Sequence, residues 1–169
     1  IVFNNTLYLG TNQGLFYKAF NTNDAFKLIR GTEGQVWCLE NINDTLFCGH
    51  NSGTFQIEGS SATLIANQMG TWSIKSIPGA TQSMLMQGNY DGLHVLHKPA
   101  GKWEYRNKIK GFDISTKYFE FSSPSSIVIS HEYKGVYTLR LDPSYSKVDA
   151  IKTHTSVNKG SNSSIATFY

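Results

Sequence analysis

Short runs of apolar residues alternate with turn residues along the chain, and the sequence of runs repeats. Val36-Trp-Cys-Leu39 is an apolar run that suits an inner strand. Asn41-Ile-Asn-Asp44 reads as a turn by composition. Thr45-Leu-Phe-Cys48 is apolar on both faces, as a strand sandwiched between two neighbouring sheets would be. His50-Asn-Ser-Gly53 closes a tight turn, and Thr54-Phe-Gln-Ile57 alternates like a half-buried strand. Residues 62–66 supply a fourth strand. No segment carries a helical period.

The same unit recurs. Asn5-Thr-Leu-Tyr-Leu-Gly-Thr-Asn-Gln-Gly-Leu-Phe16 returns as Asp44-Thr-Leu-Phe-Cys-Gly-His-Asn-Ser-Gly-Thr-Phe55, again from Ser83, and in drifted form from Ser126. The marker glycines Gly14, Gly53, Gly92 and Gly135 are 39, 39 and 43 residues apart. A period of roughly 40 residues in four-stranded units predicts an all-β chain of antiparallel β-propeller blades. The expected division is a partial first blade over 1–32, then blades over 33–69, 70–110 and 111–158, with a further blade starting at 159–169. In the first blade only 7–9, 15–17 and 26–29 read as strands, so an inner strand is missing. The third is expected at 72–77, 83–87, 93–96 and 103–108. The fourth is expected at 117–121, 127–130, 136–141 and 147–152. The whole is read as one array of about four blades, part of a larger propeller.

An open arc would leave two apolar sheet faces bare. Further blades, closure of a small ring through residues 164–169, or self-association would each cover them. The first residue is Ile1 rather than Met, which reads as a processed or excised piece.

Composition agrees with a sheet protein. Hydrophobic residues make up 40%, charged residues only 16%, and aromatic residues 13%. The net charge of +3 is too small and too scattered to argue for nucleic acid. Lys102, Arg106, Lys108 and Lys110 form the densest basic group and read as a solvated edge strand. Cys38 and Cys48 would face each other in a hairpin centred on Asn43. They are either a disulfide or two small buried apolar side chains.

Catalytic patterns are not found in the sequence. His94 and His97 fall on opposite faces of a strand. Cys38 and Cys48 lack zinc spacing, and the carboxylates are dispersed. The chain is therefore read as a non-enzyme with no metal and no cofactor. Recognition remains. Trp37, Trp72 and Tyr118 lie on or beside inner strands, and Tyr90, His131 and Tyr133 lie on the glycine turns. Each either meets a ligand or serves packing and turn chemistry.

Leu9-Gly-Thr-Asn-Gln-Gly-Leu-Phe16 resembles the two-component regulator propeller repeat, with its Gly-Thr-x-x-Gly-Leu core. Ile109-Lys-Gly-Phe-Asp-Ile-Ser115 and Ser130-His-Glu-Tyr-Lys-Gly-Val-Tyr137 resemble the sensor region of bacterial LuxR-type transcriptional regulators with a ligand-binding propeller. Later copies depart from the core, with His50 and Thr54, Asn89, and His131 at its positions. The resemblance implies a periplasmic sensor segment for a small molecule, oligosaccharide or peptide, attached to the rest of a parent regulator. It implies no DNA binding by these residues.

Overall fold

The structure is a computed structural model and describes residues 1–79 and 83–154. Sixteen strands form four antiparallel four-stranded sheets, each in strict sequence order. The first sheet holds β1 (Val2–Phe3), β2 (Thr6–Thr11), β3 (Gly14–Ala19) and β4 (Lys27–Leu28). The second holds β5 (Val36–Ile42), β6 (Thr45–His50), β7 (Gly53–Glu58) and β8 (Ser61–Ala66). The third holds β9 (Ser73–Ser76), β10 (Met84–Asn89), β11 (Gly92–His97) and β12 (Glu104–Lys108). The fourth holds β13 (Tyr118–Ser123), β14 (Ser126–His131), β15 (Gly135–Leu141) and β16 (Val148–His154). Each sheet is a β-propeller blade. One 3₁₀ turn, Pro99–Gly101, joins β11 to β12.

The chain divides into two compact units, Ile1–Ile74 and Lys75–Tyr169, with the boundary inside β9. Two expectations are corrected. The first blade has an inner strand, because Val2 and Phe3 pair with Leu7 and Thr6. Two residues are too few to show alternation, so the pattern missed them. Second, Cys38 and Cys48 do not face each other. The hairpin turns on the two residues Asn43 and Asp44 and is centred between them, so Cys38 pairs with Gly49 and Cys48 with Leu39, and the ladder slips only beyond Cys38, before Val36. Both cysteines are free thiols, and burial pushes each up to about 12. Such thiols stay protonated and behave as small apolar side chains. Residues 164–169, expected to close a ring, lie outside the described residues.

Each unit has its own core. In Ile1–Ile74, Tyr8, Leu15, Leu46, Cys48, Phe55 and Ile57 pack together. In the other unit, Met86, Leu93, Val95, Phe119, Ile127 and Leu139 do so. The second strands β6 and β10 are buried along nearly their whole length, on both faces.

The segments between blades explain two kinds of glycine. Gly53 has φ +140°, and a Cβ there would sit 2.1 Å from the Ala66 carbonyl oxygen. Gly88 has an extended backbone, but a Cβ would lie 2.0 Å from the Thr116 carbonyl oxygen. The first glycine is required by conformation and space, the second by space alone.

Candidate functional site

Each candidate side chain lies at the sheet end that carries the glycine turn. The register explains why. An inner strand begins beside the end of the second strand, as Val36 pairs with His50 and Tyr118 with Ser130. Inner-strand starts and glycine turns therefore share one end of the second and fourth blades.

In the unit Ile1–Ile74, Trp37 and Trp72 meet edge to face, with centroids 5.7 Å apart and rings inclined by 63°. Trp37 lies at the slip in β5 and is 38% exposed, with Gly10, Val36, Cys38 and Leu39 around a shallow depression of about 200 Å³. Trp72 is half-buried and precedes β9 rather than lying on it. The inner strand expected over 72–77 is shortened by one position at each end.

In the other unit, three candidates gather on the fourth blade. The His131 and Tyr133 rings are 6.4 Å apart, and Tyr133 is 76% exposed. Tyr118 opens β13, and Lys117 Nζ lies 5.0 Å from its ring centroid. Lys117 also reaches Glu132 at 3.7 Å. The β14–β15 turn holds Glu132, Tyr133 and Lys134, one residue more than its counterparts. Tyr133 sits in the middle of that longer turn. Tyr90 is half-buried on the two-residue turn of the third blade. That turn is held by the Thr116 N–H, which donates to the Asn89 carbonyl at 2.9 Å.

The residue closing each second strand serves its turn. Thr11 Oγ1 accepts from the Gln13 N–H at 3.0 Å. His50 Nδ1 accepts from the Ser52 N–H at 3.0 Å. His131 Nδ1 accepts from the N–H groups of Tyr133 at 3.1 Å and Lys134 at 3.2 Å. An Nδ1 that accepts must be unprotonated, so both rings are held neutral with the proton on Nε2. Burial lowers the pKa of both histidines, and Lys134 lowers that of His131 further. His131 thus has a structural duty at the turn, besides standing next to an exposed tyrosine.

Sequence reasoning passed over two groups. Thr32, Thr71 and Thr116 are fully buried in the segments entering the next blade. Thr32 Oγ1 accepts from the Leu15 N–H at 3.1 Å, and the Thr71 and Thr54 hydroxyls lie 2.9 Å apart. The Gly31-Thr32 and Gly70-Thr71 pairs, 39 residues apart, were a visible signal. The second group is a polar chain across the third blade. Buried His94 donates from Nε2 to Asp91 Oδ1 at 2.8 Å, and the Tyr105 hydroxyl lies 3.4 Å from Nδ1. Lys108 bridges Asp91 at 3.1 Å and Asp113 at 2.6 Å. Burial lowers the His94 pKa, against the opposing pull of Asp91. This chain ties the glycine turn to the outer strand. His97 pairs instead with Glu104, at 3.0 Å. Among the described residues, no group of three or more His, Cys, Asp or Glu side chains is placed to hold a metal ion.

Strand order, turn geometry and blade repeat define a chain built of β-propeller blades, and solved structures of low sequence identity share this fold. The N-terminal domain of Nup159 matches with a TM-score of 0.56 and 12% identity, covering 93% of this chain and 47% of that one. The computationally designed protein Ika8 matches with a TM-score of 0.62 and 13% identity, covering 100% and 52%. An S. cerevisiae Dbp5 variant bound to Nup159, a Gle1 variant, IP6 and ADP gives 0.55 and 13%, covering 92% and 46%. The chain spans about half the length of the solved structures it matches. No protein-family model and no curated protein matches it.

Proposed function

We propose that this chain is the ligand-recognition part of a bacterial sensor propeller, belonging to a membrane-anchored transcriptional regulator of the LuxR type. Its place is the periplasm, and its role is non-catalytic. The observation that carries the reading is the set of solvent-facing aromatic side chains at the glycine-turn ends of the blades. Tyr133, 76% exposed, and Trp37, 38% exposed, contribute little to either core. Flat, rigid side chains with a polar edge suit stacking on a sugar ring or a peptide. A ligand that favours one arrangement of the sensor over another biases the attached output domain.

The test is direct. Tyr133→Ala and Trp37→Ala, screened against arrays of oligosaccharides and peptides, should lose a ligand that the unaltered chain retains. Each should change stability by less than about 1 kcal/mol, as exposed side chains do. The gene should encode a membrane span and a helix-turn-helix after this segment. Turnover of a substrate, or a gene without such an output domain, overturns the reading. Retention of a folded protein, insensitive to both arrays, favours a scaffold propeller instead.

A further inference from the structure

Within each unit one blade packs on the next, and both contacts follow one rule. In Ile1–Ile74, Leu46, Cys48, Phe55 and Ile57 of the second blade are buried with Tyr8 and Leu15 of the first. In the other unit, Ile127, Ile129 and Leu139 of the fourth blade are buried with Met86, Leu93 and Val95 of the third. A leading face, turned to the blade before, meets a trailing face, turned to the blade after.

Two faces depart from this rule. Leu7, Leu9, Phe16 and Lys18 stand 39 residues before Leu46, Cys48, Phe55 and Ile57, and form the leading face of the first blade. The register sets Leu9 opposite Phe16, Leu7 opposite Lys18, and Val2 opposite Leu7. Yet Leu9 is 46% exposed and Val2 44%, whereas Cys48, the counterpart of Leu9, is fully buried. Lys18, the cation on this face, is drawn aside. Its Nζ donates to the Thr22 carbonyl at 2.7 Å and lies 5.4 Å from the Phe26 ring centroid. The trailing face of the fourth blade carries Val128, Val136 and Thr138, at the register positions that Met86, Leu93 and Val95 hold in the third. The three in the third blade are fully buried, and the three in the fourth are only half-buried.

We infer that the leading face of the first blade receives the trailing face of the fourth blade of a second copy of this chain, and that two copies close on each other through two such contacts. The repeat selects the occupant, since a leading face is built to take a trailing face. Length selects a second copy: the solved structures that share the fold are about twice as long as this chain, and two copies match them. Burial of the exposed leucine and valine drives the contact. Size sets its strength. A six-residue strand such as β2 is about 20 Å long, and strands lie about 4.8 Å apart, so such a face offers a few hundred Å². Contacts of that size support a weak, reversible dimer rather than an obligate one. The contact is independent of the sensor reading, since it needs no ligand.

The experiment is sedimentation equilibrium of the chain from micromolar to millimolar concentration. A reversible monomer–dimer equilibrium with a Kd on the order of 10–100 µM is expected. Leu9→Glu on one face and Val128→Glu on the other should each weaken it by roughly tenfold or more, because each takes a carboxylate out of water at the contact. Leu9 is exposed, so an unchanged melting midpoint shows that its variant is folded. If Val128→Glu unfolds, Thr138→Lys on the same face takes its place. A monomer at every concentration, growth beyond two copies, or a dimer indifferent to a folded variant of either face overturns the inference. A gene product that carries further blades of its own and stays monomeric overturns it as well.

Discussion

Two turns joining third and fourth strands make an instructive contrast. In the unit Ile1–Ile74, the β7–β8 turn is short, with only Gly59 and Ser60 between the strands. It touches the preceding blade through the Tyr8 hydroxyl and leaves open beside it a crevice of about 390 Å³, with Asp44 and Glu58 in its lining. In the other unit, the β15–β16 turn runs over six residues, from Asp142 to Lys147, and is organised around one carboxylate. Asp142 accepts from the N–H groups of Ser144, Ser146 and Lys147, at 3.1, 2.7 and 2.7 Å. It also accepts from the Ser144 and Ser146 hydroxyls.

That longer turn reaches the preceding blade and is held there. Arg106 donates to the Ser144 carbonyl at 2.9 Å, and Asn107 donates to the Tyr145 carbonyl at 3.0 Å. The Lys110 N–H donates to the Ser146 carbonyl at 2.9 Å. The difference teaches that a blade repeat fixes the strands while turn length decides whether the gap between neighbours becomes a cavity or a seam. Two residues span the hairpin and no more. Six residues supply enough backbone groups to close the seam with hydrogen bonds.

Changes at these sites should separate the two cases. The largest effect is expected from Gly53→Val, at the opposite end of the unit with the open crevice. A β-branched residue resists positive φ, and its Cβ would collide with the Ala66 carbonyl. A loss of about 3–4 kcal/mol in urea denaturation is expected. A smaller loss, near zero, would mean that this unit is loosely specified throughout, and its crevice a symptom of that.

Asp142→Ala comes next. It removes the acceptor shared by five donors, and about 2–3 kcal/mol should be lost. If the turn is held mainly by Arg106 and Asn107 instead, Arg106→Ala will match it. By comparison, Tyr8→Phe deletes one hydrogen bond across the crevice and should cost about 1 kcal/mol.

Acid should act on both units through groups that the fold has shifted. Burial pushes the Asp142 carboxyl up, but hydrogen bonds from Ser144, Lys147 and Ser146 outweigh it and hold the group well below its ordinary 3.8. Its contribution is present above that value and is lost as pH falls further. His50 is lowered from 6.5, chiefly by burial. The unfolded chain therefore takes up that proton first, so its contribution is full above 6.5 and declines as pH falls below it. Stability measured against pH should fall in two stages; His50→Asn should reduce the upper one, to which His94 and His131 also contribute, while Asp142→Asn reduces the lower. The smallest effect is at Tyr133, where alanine should leave stability within about 0.5 kcal/mol.

The blade pattern was legible because it rests on local rules. The doubly apolar Thr45-Leu-Phe-Cys48 gave a second strand buried on both faces, and recurring glycines marked the turns, whereas β7, read as half-buried from its alternation, has Thr54 and Phe55 buried side by side. The inner strand Val2–Phe3 was too short to carry a period. The cysteine register was misjudged because the hairpin turns on two residues, Asn43 and Asp44, both at positive φ, and is centred between them instead of on Asn43. His131 was read from its place on a turn, but its service to the Tyr133 and Lys134 amides needed the backbone geometry.

By itself, then, the sequence determined the sheets, their strand order and the spacing of the turns, since each follows from neighbours within about 40 residues of chain. The tertiary structure decided the rest. Gly88 has no local reason to be glycine until the Thr116 carbonyl from the next blade's approach arrives against it. Asp44 and Glu58 are ordinary turn residues until two blades set them around one crevice with Phe3 and Thr6. Contacts between blades depend on how far each turn reaches across the gap, and that distance is a property of packed sheets, not of any one segment.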